Sequence, residues 1–230
     1  MLDQKDINVQ MRAILVDWII EVHFNYNLKQ ETLFQTIMII DTYLSYEIIS
    51  RSQLQLLGVT SLLISCKYNE VFYPRIIDFV NITDKAYEIK EILEMEQKIL
   101  KKLEFNIFIP TSNQFYDILS KIFNFDSKQY NLGNYFLESS LIDYNMIPFP
   151  PSIIALSCSY IVMKLFHMQE YKLLYSINDK NSLFMQNMIK KSARQLCFLV
   201  KNLNQSNINS LKEKYSLDKY GNVAQYCQEK

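Results

Sequence analysis

Apolar residues along this chain recur mostly at intervals of three and four, the spacing of helices and not of strands. The densest stretch is residues 11–22. At ~100° per residue, Met11, Ile14, Leu15, Trp18 and Val22 form one apolar stripe. Ala13, Val16 and Ile20 form a second, roughly opposite, with Arg12 and Asp17 between the two. A helix that is apolar on two sides buries both or exposes one, and an exposed apolar patch marks a binding site. The stretch therefore reads either as a central helix of an all-helical core or as a helix with one stripe free for a partner.

The same spacing predicts helices over residues 9–26, 31–47, 53–69, 75–80 and 85–103. Ser50-Arg51-Ser52 offers a cap for the third of these and Thr83-Asp84 one for the fifth. The third helix carries small residues at Gly58, Ser61 and Ser65, where a neighbouring helix can approach closely, and leucines over much of the rest. The segment Phe105 to Thr111, broken by Pro110, reads as an extended linker. After it the rhythm resumes, with helices expected over residues 112–123, 129–144, 151–167, 170–176 and 182–203. Five helices, a linker and five more imply a repeated fold, with domains at residues 1–108 and 109–230. Residues 1–8 read as a polar lead-in, 202–210 as an Asn-rich loop, and a short helix near residues 211–215 precedes a loosely ordered tail.

Composition narrows this picture. Only 3 glycines and 5 prolines occur in 230 residues, too few for a hairpin-rich β fold, which leaves an all-α protein. The formal net charge is +0, so nothing global drives nucleic-acid binding. The N-terminus lacks the pattern of a signal peptide, and no run approaches the ~18 apolar residues of a membrane span. The expected location is nucleus and cytoplasm. Cys66, Cys158, Cys197 and Cys227 form no CxxC pair and read as reduced and mostly buried. His23 and His167 are isolated, which argues against a metal site. No nucleophile elbow, phosphate loop or dinucleotide fingerprint is present, and Glu94 and Glu96 point in different directions on their helix. A binding module without cofactor is favoured over an enzyme.

The stretch Met11-Arg12-Ala13-Ile14-Leu15-Val16-Asp17-Trp18 resembles the opening of the cyclin box. Ile39-Ile40-Asp41, Gly58-Val59-Thr60-Ser61, Lys67-Tyr68, Ile82-Thr83-Asp84 and Met95-Glu96 continue the resemblance in order. In the second half, Leu141-Ile142-Asp143-Tyr144-Asn145-Met146 followed by Phe149-Pro150-Pro151-Ser152 is similar to mitotic cyclins, most closely the B-type; Lys214-Tyr215 and Lys219-Tyr220 resemble their end. Thr42, Asn69, Tyr73 and Arg75 depart from the usual residues. The family's upstream helix and degradation signal are not visible before Met11, so the resemblance is to an N-terminally short member.

The resemblance implies two tandem five-helix cyclin-box domains and a regulatory subunit that binds and activates a cyclin-dependent protein kinase in G2 and mitosis. It implies kinase contacts at Lys67 and Glu96, with Ile64, Tyr68, Leu100, Phe105, Ile107 and Phe108 around them. It implies a substrate-docking patch for Arg-x-Leu motifs of substrates and inhibitors at Met11, Ile14, Leu15, Trp18, Glu21, Leu54 and Gln55. Arg12 and Asp41 match a buried ion pair between the first two helices. The alternatives are a cyclin-like scaffold, or a transcription-factor-type cyclin fold, that activates no kinase.

Overall fold

The computed structural model describes residues 4–171, 180–203 and 209–226, and among them there is no β-strand. The chain divides into two compact units, Met1–Ile109 and Pro110–Lys230.

The first unit holds α1 (Val9–Asn25), α2 (Gln30–Tyr46), α3 (Arg51–Asn69), α4 (Ile76–Ile82) and α5 (Ile89–Lys102). Helix α3 is its axis: an unbroken run from Leu56 to Cys66 is buried, and α1, α2, α4 and α5 all pack on it. The small residues explain the close approach. A Cβ at Gly58 would stand 2.7 Å from Leu15 Cδ1 of α1, so glycine permits the α1–α3 contact. Arg12 of α1 donates from Nε and Nη2 to the two carboxylate oxygens of Asp41 on α2, each at 2.6 Å. This fork-to-fork pair is the strong form of an arginine–carboxylate contact, and Arg12 is fully buried.

Three details of this unit differ from the expectation. The two stripes of α1 are not opposite: Leu15, Val16, Ile19, Ile20 and Val22 form one broad buried arc, which includes Ile19 from neither stripe. Helix α5 starts at Ile89 and not at Lys85, because Asp84 and Lys85 both adopt left-handed backbone (φ 52° and 60°), which helices cannot continue. Thr83 caps the end of α4 instead, its hydroxyl donating to the Val80 carbonyl. Glu91 accepts from the Glu88 amide to start α5. The polar lead-in is also anchored. Gln4 donates to the carbonyls of Leu44 and Glu47 at the end of α2 and accepts from the Ile49 amide, while Asp6 accepts from the Arg51 amide that opens α3.

The second unit holds α6 (Ser112–Ile122), α7 (Ser127–Ile142), α8 (Pro151–Leu165), α9 (Lys180–Leu203), α10 (Ser210–Tyr215) and α11 (Val223–Tyr226). Asp126 and Gln129 close a capping box at the start of α7, and Pro151 sits at the first position of α8, where its missing N–H costs nothing. Helix α8 is central, apolar nearly all round and packed by α6, α7 and α9. Most of the expected 170–176 helix and most of the Asn-rich loop lie outside the described residues. The tail as far as Tyr226 is not loose: Val223 and Ala224 are buried against α7, and Tyr226 stacks on Phe166 at 5.5 Å. Beneath it, Lys214 and Tyr215 of α10 both reach Glu138 of α7 in a sealed cluster. Cys66 and Cys158 are buried free thiols, Cys197 is exposed, and Cys227 lies outside the described residues.

Candidate protein-binding sites of the first unit

Two surface features gather most of the candidate residues. The first lies where α3 ends and α5 passes. Lys67, in the last turn of α3, donates from Nζ to both carboxylate oxygens of Glu96 in mid-α5, at 2.7 and 2.8 Å. The Lys67 side chain is 39% exposed and that of Glu96 12%. A half-solvated pair of this kind contributes about 0–1 kcal/mol to folding, so stability alone gives no reason for its geometry.

Aromatic groups surround the pair. Tyr68 is 51% exposed and packs on Phe108, ring centroids 6.3 Å apart; Phe108 is itself 58% exposed. After α5 the chain turns through Glu104 and Phe105, both left-handed at φ 51° and 58°, and Phe105 is directed into solvent. Two consecutive non-glycine residues in this region are strained, and such strain is characteristic of functional segments. The segment expected to be a plain extended linker is thus a turn that is then tied down. Gln35 of α2 donates to the Ile107 carbonyl at 3.0 Å, and Asn69 at the end of α3 donates to Gln35. Neither Gln35 nor Asn69 was expected at the site, because a polar bridge between helix ends leaves no periodic signal. Leu100 and Ile107 are half-buried, whereas Ile64 is buried in the core behind this surface. Beyond α3, Val71 and Phe72 add further exposed apolar surface; neither belonged to a periodic helix pattern.

The second feature is a groove of about 270 Å³ between α1 and α3, lined by Met11, Ile14, Leu15, Trp18, Arg51, Leu54 and Gln55. Leu15 and Leu54 are buried and form its floor, while Ile14 is 57% exposed at its edge. All the expected patch residues except Glu21 line it; Glu21 is exposed on α1 outside the lining. Arg51 is the residue the pattern missed. Its spacing of three and four from Leu54 and Gln55 puts it on the same face of α3, which would have revealed it.

Elsewhere in this unit, burial pushes the Cys66 thiol up to about 12, with the nearby Glu70 carboxylate adding to the effect. Cys66 is therefore a neutral core side chain. Among the described residues no three His, Cys, Asp or Glu side chains converge as metal ligands, and no helix is long and apolar enough to cross a membrane.

The architecture, a helical unit built on a buried central helix followed by a second built the same way, corresponds to two tandem cyclin domains. The profile of the cyclin N-terminal domain matches residues 1–108 and that of the cyclin C-terminal domain residues 110–229. The chain belongs to the cyclin family. It is 36% identical over 225 residues to cyclin-B2-2 of Arabidopsis thaliana, covering 97% of this chain and 52% of that protein. To the G2/mitotic-specific cyclin-B2 of Homo sapiens it is 39% identical over 224 residues, covering 95% of this chain and 54% of the relative. The chain thus spans about half the length of these curated relatives. A viral cyclin from herpesvirus saimiri has the same fold at 18% identity, with a TM-score of 0.70 over 84% of this chain and 88% of that one.

Proposed function

We propose that this chain is the folded part of a mitotic, B-type cyclin: a regulatory subunit that binds and activates a cyclin-dependent protein kinase and docks its substrates. The observation that carries the reading is the Lys67–Glu96 pair, held in bidentate geometry at the surface and flanked by the exposed rings of Tyr68, Phe105 and Phe108. A charged pair contributing little to folding, ringed by exposed apolar groups, has the anatomy of a contact centre: polar groups that fix register inside an apolar rim. The similarity to relatives named G2/mitotic-specific cyclin-B2 supports the assignment of partner and cell-cycle stage.

In this reading the subunit contributes no catalytic group. It binds the active arrangement of the kinase better than the inactive one and so shifts the population toward it. In that arrangement the kinase's mobile helix is held inward, its glutamate meets the nucleotide-binding lysine and the activation loop opens. The α1–α3 groove takes the leucine of an Arg-x-Leu segment, worth about 1.5–3 kcal/mol of apolar burial. The arginine pairs with Glu21, beside the groove. We assign the protein to nucleus and cytoplasm on the same ground.

The test is reconstitution with a cyclin-dependent kinase and a histone-type substrate. Activation by the wild-type chain, lost in the Lys67→Ala/Glu96→Ala variant, is the expected result. Trp18→Ala should lower phosphorylation of a substrate bearing the docking motif and leave a motif-less peptide unaffected. Failure of the wild-type chain to bind or activate any such kinase would sink the reading.

A further inference from the structure

The second unit carries a groove that the kinase and substrate contacts leave unused. It runs between α8 and α9, has a volume of about 650 Å³, and lies wholly among described residues. On α9 its lining follows one face of the helix, from Lys190 through Ala193, Arg194, Cys197 and Phe198 to Lys201. That spacing of three and four keeps the side chains in one stripe. Tyr160, Ile161, Lys164 and Leu165 of α8 form the opposite wall. The groove is therefore apolar along its centre and cationic at both ends and on the facing wall. Lys190, Arg194 and Lys201 are exposed, and Phe198, 64% exposed, is an aromatic group that nothing in the unit covers. The Lys164 Nζ rests 3.6 Å from the centre of the Tyr171 ring, which holds its charge at the groove's edge. No aspartate or glutamate lines the groove.

We propose that this groove is a docking site for an acidic amphipathic segment of a partner protein, one that presents apolar side chains on one face and carboxylates beside them. Charge complementarity selects the occupant: four cations and no carboxylate surround the apolar floor. The distribution of charge favours a polypeptide with separated carboxylates over a single phosphate group. Lys190 and Lys201 stand three turns apart, about 16 Å along α9, too far to converge on one dianion. The form of the site, two helices flanking an apolar channel, is that of helix-in-groove recognition, in which apolar anchors give affinity and rim charges give register and encounter rate.

The test titrates the full chain with a fluorescent synthetic helix-forming peptide of leucine and glutamate, its leucines on one face. Comparison peptides replace every glutamate by glutamine, replace every leucine by glutamate, or carry one phosphoserine in a glutamine background. The leucine–glutamate peptide should bind best, and binding should weaken as salt rises. Lys190→Glu with Arg194→Glu should reduce affinity at least about tenfold, and Phe198→Ser should do the same through the apolar term. These side chains are exposed, and circular dichroism checks that the variants keep their helix content; Lys190→Gln with Arg194→Gln supplies a milder pair that should show an intermediate loss. Equal affinity for the glutamine peptide, undiminished binding by the charge-reversed variant, or no binding at all overturns the proposal. So does stronger binding of the phosphoserine peptide. Concentration-dependent self-association that the charge reversal abolishes would make a second copy of this chain the occupant, and likewise overturns it. Kinase activation by the charge-reversed variant should be unchanged, which separates this outcome from that of the functional reading.

Discussion

Each unit of this molecule contains a lysine bound bidentately to a glutamate, and the two pairs have opposite surroundings. Lys214 Nζ meets the Glu138 carboxylate at 2.6 and 2.9 Å, and Lys67 Nζ meets that of Glu96 at 2.7 and 2.8 Å. The first pair is 4% and 0% exposed, and Tyr215 donates a third hydrogen bond to Glu138 at 2.7 Å. The second is 39% and 12% exposed and ringed by solvent-facing aromatics. Near-identical local geometry thus serves two ends. Sealed under α10, the pair is committed to the fold, because two desolvated charges persist only while each satisfies the other. At the surface the pair is almost neutral to folding and free to be read by another protein.

The comparison is sharpened most strongly by removing one partner of the sealed pair. Lys214→Met should cost about 3–5 kcal/mol in urea unfolding, since Glu138 is left buried without its cation. Lys214→Met combined with Glu138→Leu should recover most of that loss, because the desolvated charge goes with its partner. Tyr215→Phe removes one donor from the same carboxylate and should cost about 1–3 kcal/mol by the same measurement.

Alkaline titration probes the same cluster more gently. Burial pushes the Tyr220 phenol above its ordinary range, and the Glu138 carboxylate adds to the rise. A raised folded-state value favours the neutral phenol, so its contribution to stability is fully present below the unfolded value of ~10 and is lost as pH rises through the folded value. Unfolding midpoints should therefore fall with rising alkalinity, and less so in Tyr220→Phe. The smallest effect belongs to the surface pair: Lys67→Ala should change stability by less than about 1 kcal/mol. A loss as large as that of Lys214→Met would erase the distinction between the two sites.

Much of this was legible in the chain. Apolar spacing located α1, α2, α3 and α8, because helices packed on a core must repeat their buried faces. Gly58 announced the close approach of α1 to α3, and the motif residues around Met11, Lys67 and Glu96 marked the surfaces the fold then assembled. What was not legible depends on backbone conformation or on contacts between distant residues. The left-handed Asp84 and Lys85 moved the start of α5, though nothing in their side chains requires that conformation. The bridge from Asn69 through Gln35 to Ile107 joins residues 72 positions apart at its longer step. The sealing of Glu138 by Lys214 joins residues 76 apart, and turns a tail that read as loose into part of the core. The groove between α8 and α9 was hidden for a related reason: a stripe of alternating cations and apolar residues looks like any solvated helix face until its neighbour is in place.

The central claim is that the surface pair exists for a partner and the buried pair for the fold. It is tested most directly by measuring, side by side, unfolding free energy and kinase activation for Lys67→Ala/Glu96→Ala. The account predicts a variant within about 1 kcal/mol of wild-type stability that binds the kinase more weakly by a few kcal/mol and no longer activates it. A stable variant that activates the kinase as well as wild type would contradict it.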